Sequence, residues 1–365
     1  MFHPTQQRMP KYYNLLIVLF LLIPLNGFSQ KRVKHPKNII LLVGDGMGVA
    51  QIYAGLTANH GKLNLEQCTT VGFHKNTAAN AYITDSAAGA TAFACGQKTY
   101  NGAIGVDANG KPMPTILEIA EKNGVATGLV ATCSITHATP ASFISHQPSR
   151  SLDENIALDF LNTDVDVFIG GGRKFFTDRK DGINLVDSLR SRGYQIANTI
   201  SEVQQVTSGK LAAFLADEQQ AKFSSGRGDE LVKSTEAALQ LLKHNKKGMF
   251  LMIEGSQIDW GGHGNDTQYI IDEMIDFDNA IGKVLDFARK NRKTLVVITA
   301  DHETGGFTIN GGDLKTGKVD GKFTTGNHTG VMIPVFAYGP GSEKFSGIYE
   351  NTDIFHKMMS AFKFK

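Results

Sequence analysis

The 365-residue chain is short of cysteine and of any excess of charge. Its 37 Lys and Arg offset 35 Asp and Glu, a formal net charge of +2. No Lys/Arg run dominates a segment, which argues against a nucleic-acid binder, because phosphate-backbone contact needs a basic face. The cysteines are Cys68, Cys95 and Cys133, an odd number that leaves at least one thiol free in an exported chain. Their scattered spacing does not read as a zinc–thiolate site. A Cys68–Cys95 bridge stays open, and Cys133, ending an apolar run, reads as buried. Internal repeats, low-complexity stretches and linkers are absent beyond the N-terminal leader. A long apolar run occurs once, over residues 15–25, preceded by Arg8 and Lys11 and followed by Gly27-Phe28-Ser29. Positive, apolar and small-residue regions in that order form a secretory signal. The run has about half of the ~20 residues that a membrane span needs. The expectation is a signal peptide over residues 1–29, cleaved near Ser29/Gln30, and a single domain over residues 30–365. No Cys follows the apolar run, so lipoprotein processing is not expected. The mature chain should be exported, periplasmic or secreted, and soluble, with no membrane contact after cleavage.

Apolar runs recur downstream, alternating with helical patterns. Residues 38–43, 125–133, 165–169, 249–253, 294–300 and 331–338 read as strands. Residues 114–123, 153–161, 230–244, 267–290 and 353–362 read as helices. Continuous apolar strands between helices predict an α/β fold: a three-layer sandwich whose central, mostly parallel sheet has helices on both faces. Residues 173–228 show only short elements and no chemistry. Gly44-Asp45-Gly46-Met47-Gly48 lacks the Gly-x-Gly-x-x-Gly spacing of a dinucleotide fold.

The chemistry sits where strands end. Asp45, Glu254, Asp259, His263, Asp301, His302 and His328 all follow apolar runs or lie in the segments just beyond. Open α/β sheets build their sites at that edge. His and carboxylate donors without Cys suit catalytic zinc. Asp259 and His263, four apart around two glycines, read as a compact loop aimed at one ion. Asp301 and His302 are adjacent, so a turn must bring both inward. The stretch Thr84-Asp85-Ser86-Ala87-Ala88-Gly89-Ala90 reads as an N-capped, Ala-rich helix whose first turn attracts anions. Its small side chains would let something approach the backbone closely.

Together these motifs resemble the alkaline phosphatase family. The resemblance is carried in order by Gly44-Asp45-Gly46-Met47-Gly48, Thr84-Asp85-Ser86-Ala87, Thr139-Pro140-Ala141 with Arg150 downstream, and Glu254-Gly-Ser-Gln-Ile-Asp259 with His263. Thr299-Ala300-Asp301-His302-Glu303 and His328-Thr329-Gly330 complete it. It covers essentially the whole mature chain. The resemblance implies a phosphomonoesterase with Ser86 as nucleophile and a covalent phosphoserine intermediate. It implies two zinc ions and one magnesium. One zinc would be held by Asp259, His263 and His328. The other would be held by Asp45, Asp301 and His302, with Ser86 bound to it. Magnesium would use Asp45, Thr139 and Glu254. Arg150 would grip the phosphate, and Asp85 would position Ser86 and Arg150. The formal charges of three cations and Arg150 exceed those of the four carboxylates by that of a phosphate dianion plus a serine alkoxide.

Two positions depart from the best-known enterobacterial pattern: His137 stands in place of Asp and Trp260 in place of Lys, both expected just outside the ligands. The segment between His302 and His328 is short for the family. The substrates implied are small phosphate monoesters, and the state is a monomer or homodimer. Two alternatives remain at this stage: a phosphodiesterase of the same superfamily, or a non-catalytic exported protein that binds metal or phosphate. A sulfatase is disfavoured because Ser86 precedes Ala-Ala-Gly-Ala and lacks the Ser-x-Pro-x-Arg context.

Overall fold

Residues Asn38–Gly44 form strand β1, and none of the seven is exposed. Its unbroken apolar run divides between two faces. Ile39, Leu41 and Val43 join one hydrophobic cluster, and Ile40 and Leu42 join another. Side chains alternate along a strand, so a strand apolar at every position must be covered on both sides. The computed structural model describes residues 1–4 and 35–364. Apart from its first four residues, the expected signal peptide and its cleavage point lie outside them.

The other strands, in chain order, are β2 (Thr70–Lys75), β3 (Ala126–Ser134), β4 (Val167–Gly171), β5 (Tyr194–Ala197), β6 (Lys210–Phe214), β7 (Met249–Gly255), β8 (Thr294–Thr299), β9 (Glu303–Thr304), β10 (Thr308–Asp313), β11 (Lys318–Lys322), β12 (His328–Thr329), β13 (Ile333–Tyr338) and β14 (Gly347–Glu350). Ten of them form one sheet in the order β14-β2-β13-β8-β1-β7-β3-β4-β6-β5. β13 runs antiparallel to β2 and β8, and the remaining pairs are parallel. The mostly parallel sheet expected from the β/α alternation is therefore present. The edge strand β14 and its neighbour β2, with partly exposed residues and glycines, were not anticipated.

Helices Ser86–Cys95, Ile116–Lys122 and Thr352–Phe362 cover one face, contributing Phe93, Ile116, Leu117, Phe355 and Met358 to its core. Helices Glu230–Leu242 and Thr267–Asn291 cover the other. In the second of these, Ile270, Ile271, Met274, Phe277, Ile281, Val284, Leu285 and Ala288 recur at helical spacing and are buried. Each large apolar side chain so buried contributes about 1.5–3 kcal/mol. Asp266 caps this helix by accepting from the Gln268 and Tyr269 amides.

One expectation is corrected. The segment carrying Asp259 and His263 is a helix, Gln257–His263, and not a loop. Glycines at 261 and 262 disguise it, since glycine disfavours helix. The helix itself puts residues four apart on one face. β10 and β11 pair with each other as an antiparallel hairpin. The described residues 35–364 fall in one compact unit.

Candidate active site

The sheet register aligns the site. β1 pairs with β7 so that Val43 faces Glu254 and Gly44 faces Gly255. On its other side Val43 faces Thr299. Asp45, Glu254 and Asp301-His302 thus leave the sheet at the same carboxyl edge, and all four are fully buried. Gly46 has φ +74°, and a Cβ there would sit 2.7 Å from Asp259 Cα. Only glycine lets the chain after β1 turn this tightly against the Gln257–His263 helix.

His302 Nε2 lies 3.2 Å from Asp301 Oδ2, 3.4 Å from Asp45 Oδ1 and 3.2 Å from Ser86 Oγ. The tautomer is set at its other nitrogen. The Thr304 hydroxyl donates its one proton to Asp259 Oδ1 at 2.5 Å, so at 3.2 Å it accepts from His302 Nδ1–H. Nε2 therefore presents a lone pair to carboxylate oxygens. Both oxygens of Asp45, and Asp301 Oδ2, are buried without a hydrogen-bond partner. Acceptors gathered around one point need a cation. Burial and then the charges of Asp259 and Glu254 push Asp301 up to about 7. Burial, with Asp301 next, pushes Asp45 well above the usual carboxylate range.

A second convergence adjoins the first, with the His302 and His328 rings stacked at a centroid distance of 3.5 Å. His263 Nδ1 is 2.7 Å from the Gly326 carbonyl and His328 Nδ1 is 2.9 Å from the Thr84 carbonyl. A carbonyl only accepts, so both Nδ1 atoms carry hydrogen. The two Nε2 atoms then face each other at 3.1 Å with lone pairs opposed. Asp259 Oδ2 is 3.3 Å from one and its Oδ1 3.6 Å from the other. Such an arrangement needs a shared proton or a metal. The hydrogen bond to Asp259 raises His263 to about 9. Burial works to raise the Asp259 carboxyl, but the His263 hydrogen bond and the neighbouring imidazoles hold it well below its ordinary value.

Glu254 marks a third locus. Its Oε2 accepts from Ser256 Oγ at 2.8 Å and faces Cys133 Sγ at 3.3 Å, while Oε1 has no partner. Burial raises the Glu254 carboxyl. Thr139 lies close enough to oppose that rise, yet its hydroxyl makes no hydrogen bond of good geometry. Donor atoms of Cys133, His137 and Glu254 all lie within 4.8 Å of one another. The same holds for Asp45, Asp301 and His302, and for Asp259, His302 and His328.

Ser86 opens the helix Ser86–Cys95, whose ten residues are all buried. Asp85 is the N-cap. Its Oδ1 accepts from the Ala88 amide at 3.0 Å, and its Oδ2 accepts from the Gly102 amide at 2.9 Å and Arg150 Nη1 at 3.3 Å. Arg150 Nη2 donates to His137 Nε2 at 3.2 Å. Burial, reinforced by Arg150, pushes His137 down to about 3. Trp260 meets the His137 ring edge-on, with centroids 6.2 Å apart. The small residues of the helix admit the Asp301 segment: a Cβ on Gly89 would lie 2.9 Å from Asp301 Cβ.

Every candidate site residue named from the sequence thus falls within this connected cluster. Thr304 and Cys133 belong to it too and were missed. Thr304 offered only its place two residues beyond His302, and Cys133 only its place at the end of β3. All three cysteines are free thiols.

With this geometry in hand, comparison with known proteins is direct. The sequence profile of the family described as alkaline phosphatase matches residues 36–322 and 315–364. Alkaline phosphatase 4 of Bacillus subtilis is 35% identical over 402 aligned residues, covering 87% of each chain. The Escherichia coli alkaline phosphatase is 33% identical, covering 91% of this chain and 87% of that one. A solved structure of a His-to-Asp mutant of TAB5 alkaline phosphatase, with magnesium bound in its M3 site, superposes with a TM-score of 0.86. It is 45% identical, covering 91% of this chain and 99% of that one. Matches of this extent, on the same sheet, show that the chain belongs to the alkaline phosphatase family of phosphomonoester hydrolases.

Proposed function

We propose that the chain hydrolyses phosphate monoesters by passing the phosphoryl group first to Ser86 and then to water. The observation that carries this reading is the convergence on one imidazole nitrogen, His302 Nε2, of two unpartnered carboxylate oxygens, Asp301 Oδ2 at 3.2 Å and Asp45 Oδ1 at 3.4 Å, with Ser86 Oγ 3.2 Å from the same atom. The donors fit two zinc ions. Asp259, His263 and His328 would hold one; Asp45, Asp301 and His302 would hold the other, next to Ser86. A third divalent cation, magnesium by the family pattern, would use Asp45, Thr139 and Glu254. Bound there, the cations would supply positive charge for a serine alkoxide, for the departing ester oxygen and for the water that ends the cycle.

Ser86 Oγ, its proton given up to solvent, attacks phosphorus in line as the P–O bond to the alcohol breaks, and the departing oxygen takes a proton from solvent. In the second step a water oxygen attacks the phosphoserine from the vacated side, and Oγ leaves. Two inversions give retention at phosphorus. Arg150 holds two non-bridging oxygens in its planar fork, and Asp85 Oδ2 and His137 Nε2 fix that plane from behind. Amides of the Ser86–Cys95 N-terminus add donors to the same oxygens.

A Ser–His–Asp triad fits less well. His302 Nε2, which would have to take the serine proton, is the atom crowded by the carboxylates, and a threonine hydroxyl occupies Nδ1 where a triad carboxylate belongs. Burial also holds His302 far below the range of a useful base.

We further propose small monoesters as substrates, with no nucleic-acid specificity, and export through the residue 1–29 leader to the periplasm or medium. The site lies within one chain whether the state is monomer or homodimer. Among the described residues no helix is long and apolar enough to cross a membrane. The test is phosphate release from p-nitrophenyl phosphate at alkaline pH with zinc and magnesium supplied. Turnover lost in Ser86→Ala supports the reading, and full activity in that variant refutes the covalent path. Preference for bis(p-nitrophenyl) phosphate would make the chain a diesterase, and no turnover of either ester would make it a binding protein.

A further inference from the structure

We infer that Cys133 is a ligand of the third cation site and turns it into a site for a thiophilic divalent ion, zinc or cobalt, in preference to magnesium. The inference rests on the three-cation reading above. Cys133 Sγ is fully buried, 3.3 Å from Glu254 Oε2, in a group of donors that all lie within 4.8 Å of one another. A buried thiol beside a carboxylate could be no more than a satisfied core residue, its one proton shared between Glu254 Oε2 and the Ser134 carbonyl.

Two further observations point to a ligand. Glu254 Oε1 and Thr139 Oγ1 are buried at the same place with no partner, so lone pairs are left that the protein does not satisfy. His137, the other non-oxygen donor in that group, gives its Nε2 to Arg150, and its Nδ1 is buried without a partner. A guanidinium can only donate, so the Arg150 contact occupies the Nε2 lone pair, and Nδ1 then carries the ring proton and cannot ligate. Cys133 is left as the donor that decides selectivity. Magnesium demands oxygen ligands and keeps its waters, whereas a sulfur among oxygens favours zinc or cobalt. Ligation replaces the S–H bond with a metal–sulfur bond and releases one proton to solvent.

The test is titration of the metal-free full chain with cobalt(II), following bound metal and the near-ultraviolet sulfur-to-cobalt charge-transfer absorption. Three equivalents should bind, with the sulfur band rising with one of them. The band should vanish in Cys133→Ser and persist in Cys68→Ser. Three bound equivalents without the band, or a band that survives Cys133→Ser, overturns this inference alone. Fewer than three equivalents without the band overturns the three-cation reading and this inference with it. If Cys133→Ser does not fold, X-ray absorption of the unsubstituted zinc-loaded protein decides. A sulfur scatterer at about 2.3 Å is expected, and its absence overturns the assignment.

Discussion

Replacing Thr304 with valine should loosen zinc while leaving the fold in place. The hydroxyl joins the two convergences: it donates to Asp259 Oδ1 at 2.5 Å and accepts from His302 Nδ1 at 3.2 Å. Valine keeps the branched shape and removes both contacts. Asp259 then loses a donor, and the His302 Nδ1–H, in a fully buried ring, loses its acceptor. A hydrogen bond to a charged group is worth about 1.5–3 kcal/mol. At about 1.4 kcal/mol per decade this is a ten- to hundredfold loss of affinity, the range typical of groups that orient metal ligands. Competition against a zinc chelator measures it directly, with circular dichroism as the check on folding. Activity at saturating zinc should fall by less than affinity does. Thr304→Ser, which restores the hydroxyl, should recover most of the loss. A folded Thr304→Val with unchanged zinc affinity, or a serine variant as impaired as the valine one, would refute the reasoning.

Arg150→Ala should raise both KM for a phosphate monoester and the inhibition constant of phosphate by about ten- to hundredfold, for loss of charge-assisted hydrogen bonds of about 1.5–3 kcal/mol. Arg150→Lys should recover little of it, because an ammonium is a point charge without the fork; full recovery in kinetics would contradict this. Trp260→Lys should tighten inhibition by phosphate, since the indole beside His137 offers no cation where an ammonium would; an unchanged inhibition constant would sink the idea. Away from the site, Arg227 is buried against both Glu273 and Asp276, and burial, opposed by Arg227, pushes Asp276 up from 3.8 to about 6. The folded chain thus holds this proton more tightly than the unfolded one. Its stabilisation is full below the unfolded value of 3.8 and is lost as pH rises through about 6. Denaturant melts should show about 1 kcal/mol lost from this group between about pH 5 and 8, the worth of one pKa unit. Asp276→Asn should remove that slope, and an equal slope in the variant would count against it.

Much of this arrangement was legible in the sequence because its causes are local. A run such as residues 39–43, apolar at every position and closed by Gly44, reads as a strand covered on both faces, which puts the residues just after it at the sheet edge. The placement of Asp45, Glu254, Asp301 and His302 at that edge was readable for that reason. The Gln257–His263 helix was not, because its glycines at 261 and 262 argue locally against helix. Strands β2 and β14 hid because their half-exposed surfaces show no clear period. Thr304 and Cys133 escaped for a different reason. A hydroxyl that sets a histidine tautomer, and a thiol opposite a carboxylate on another strand, acquire meaning only from distances across the sheet. The meeting of Cys133 with Glu254 depends on β3 pairing with β7, where Ala131 faces Glu254.

The central claim is that Ser86 itself carries the phosphoryl group. The direct measurement is acid quenching of the metal-loaded enzyme during turnover of a phosphate monoester, followed by peptide mapping. The account predicts a phosphoryl group on Ser86, lost on return to alkaline pH, with retention at phosphorus when a chiral phosphate ester is used. Turnover with Ser86 unmodified and inversion at phosphorus would contradict it.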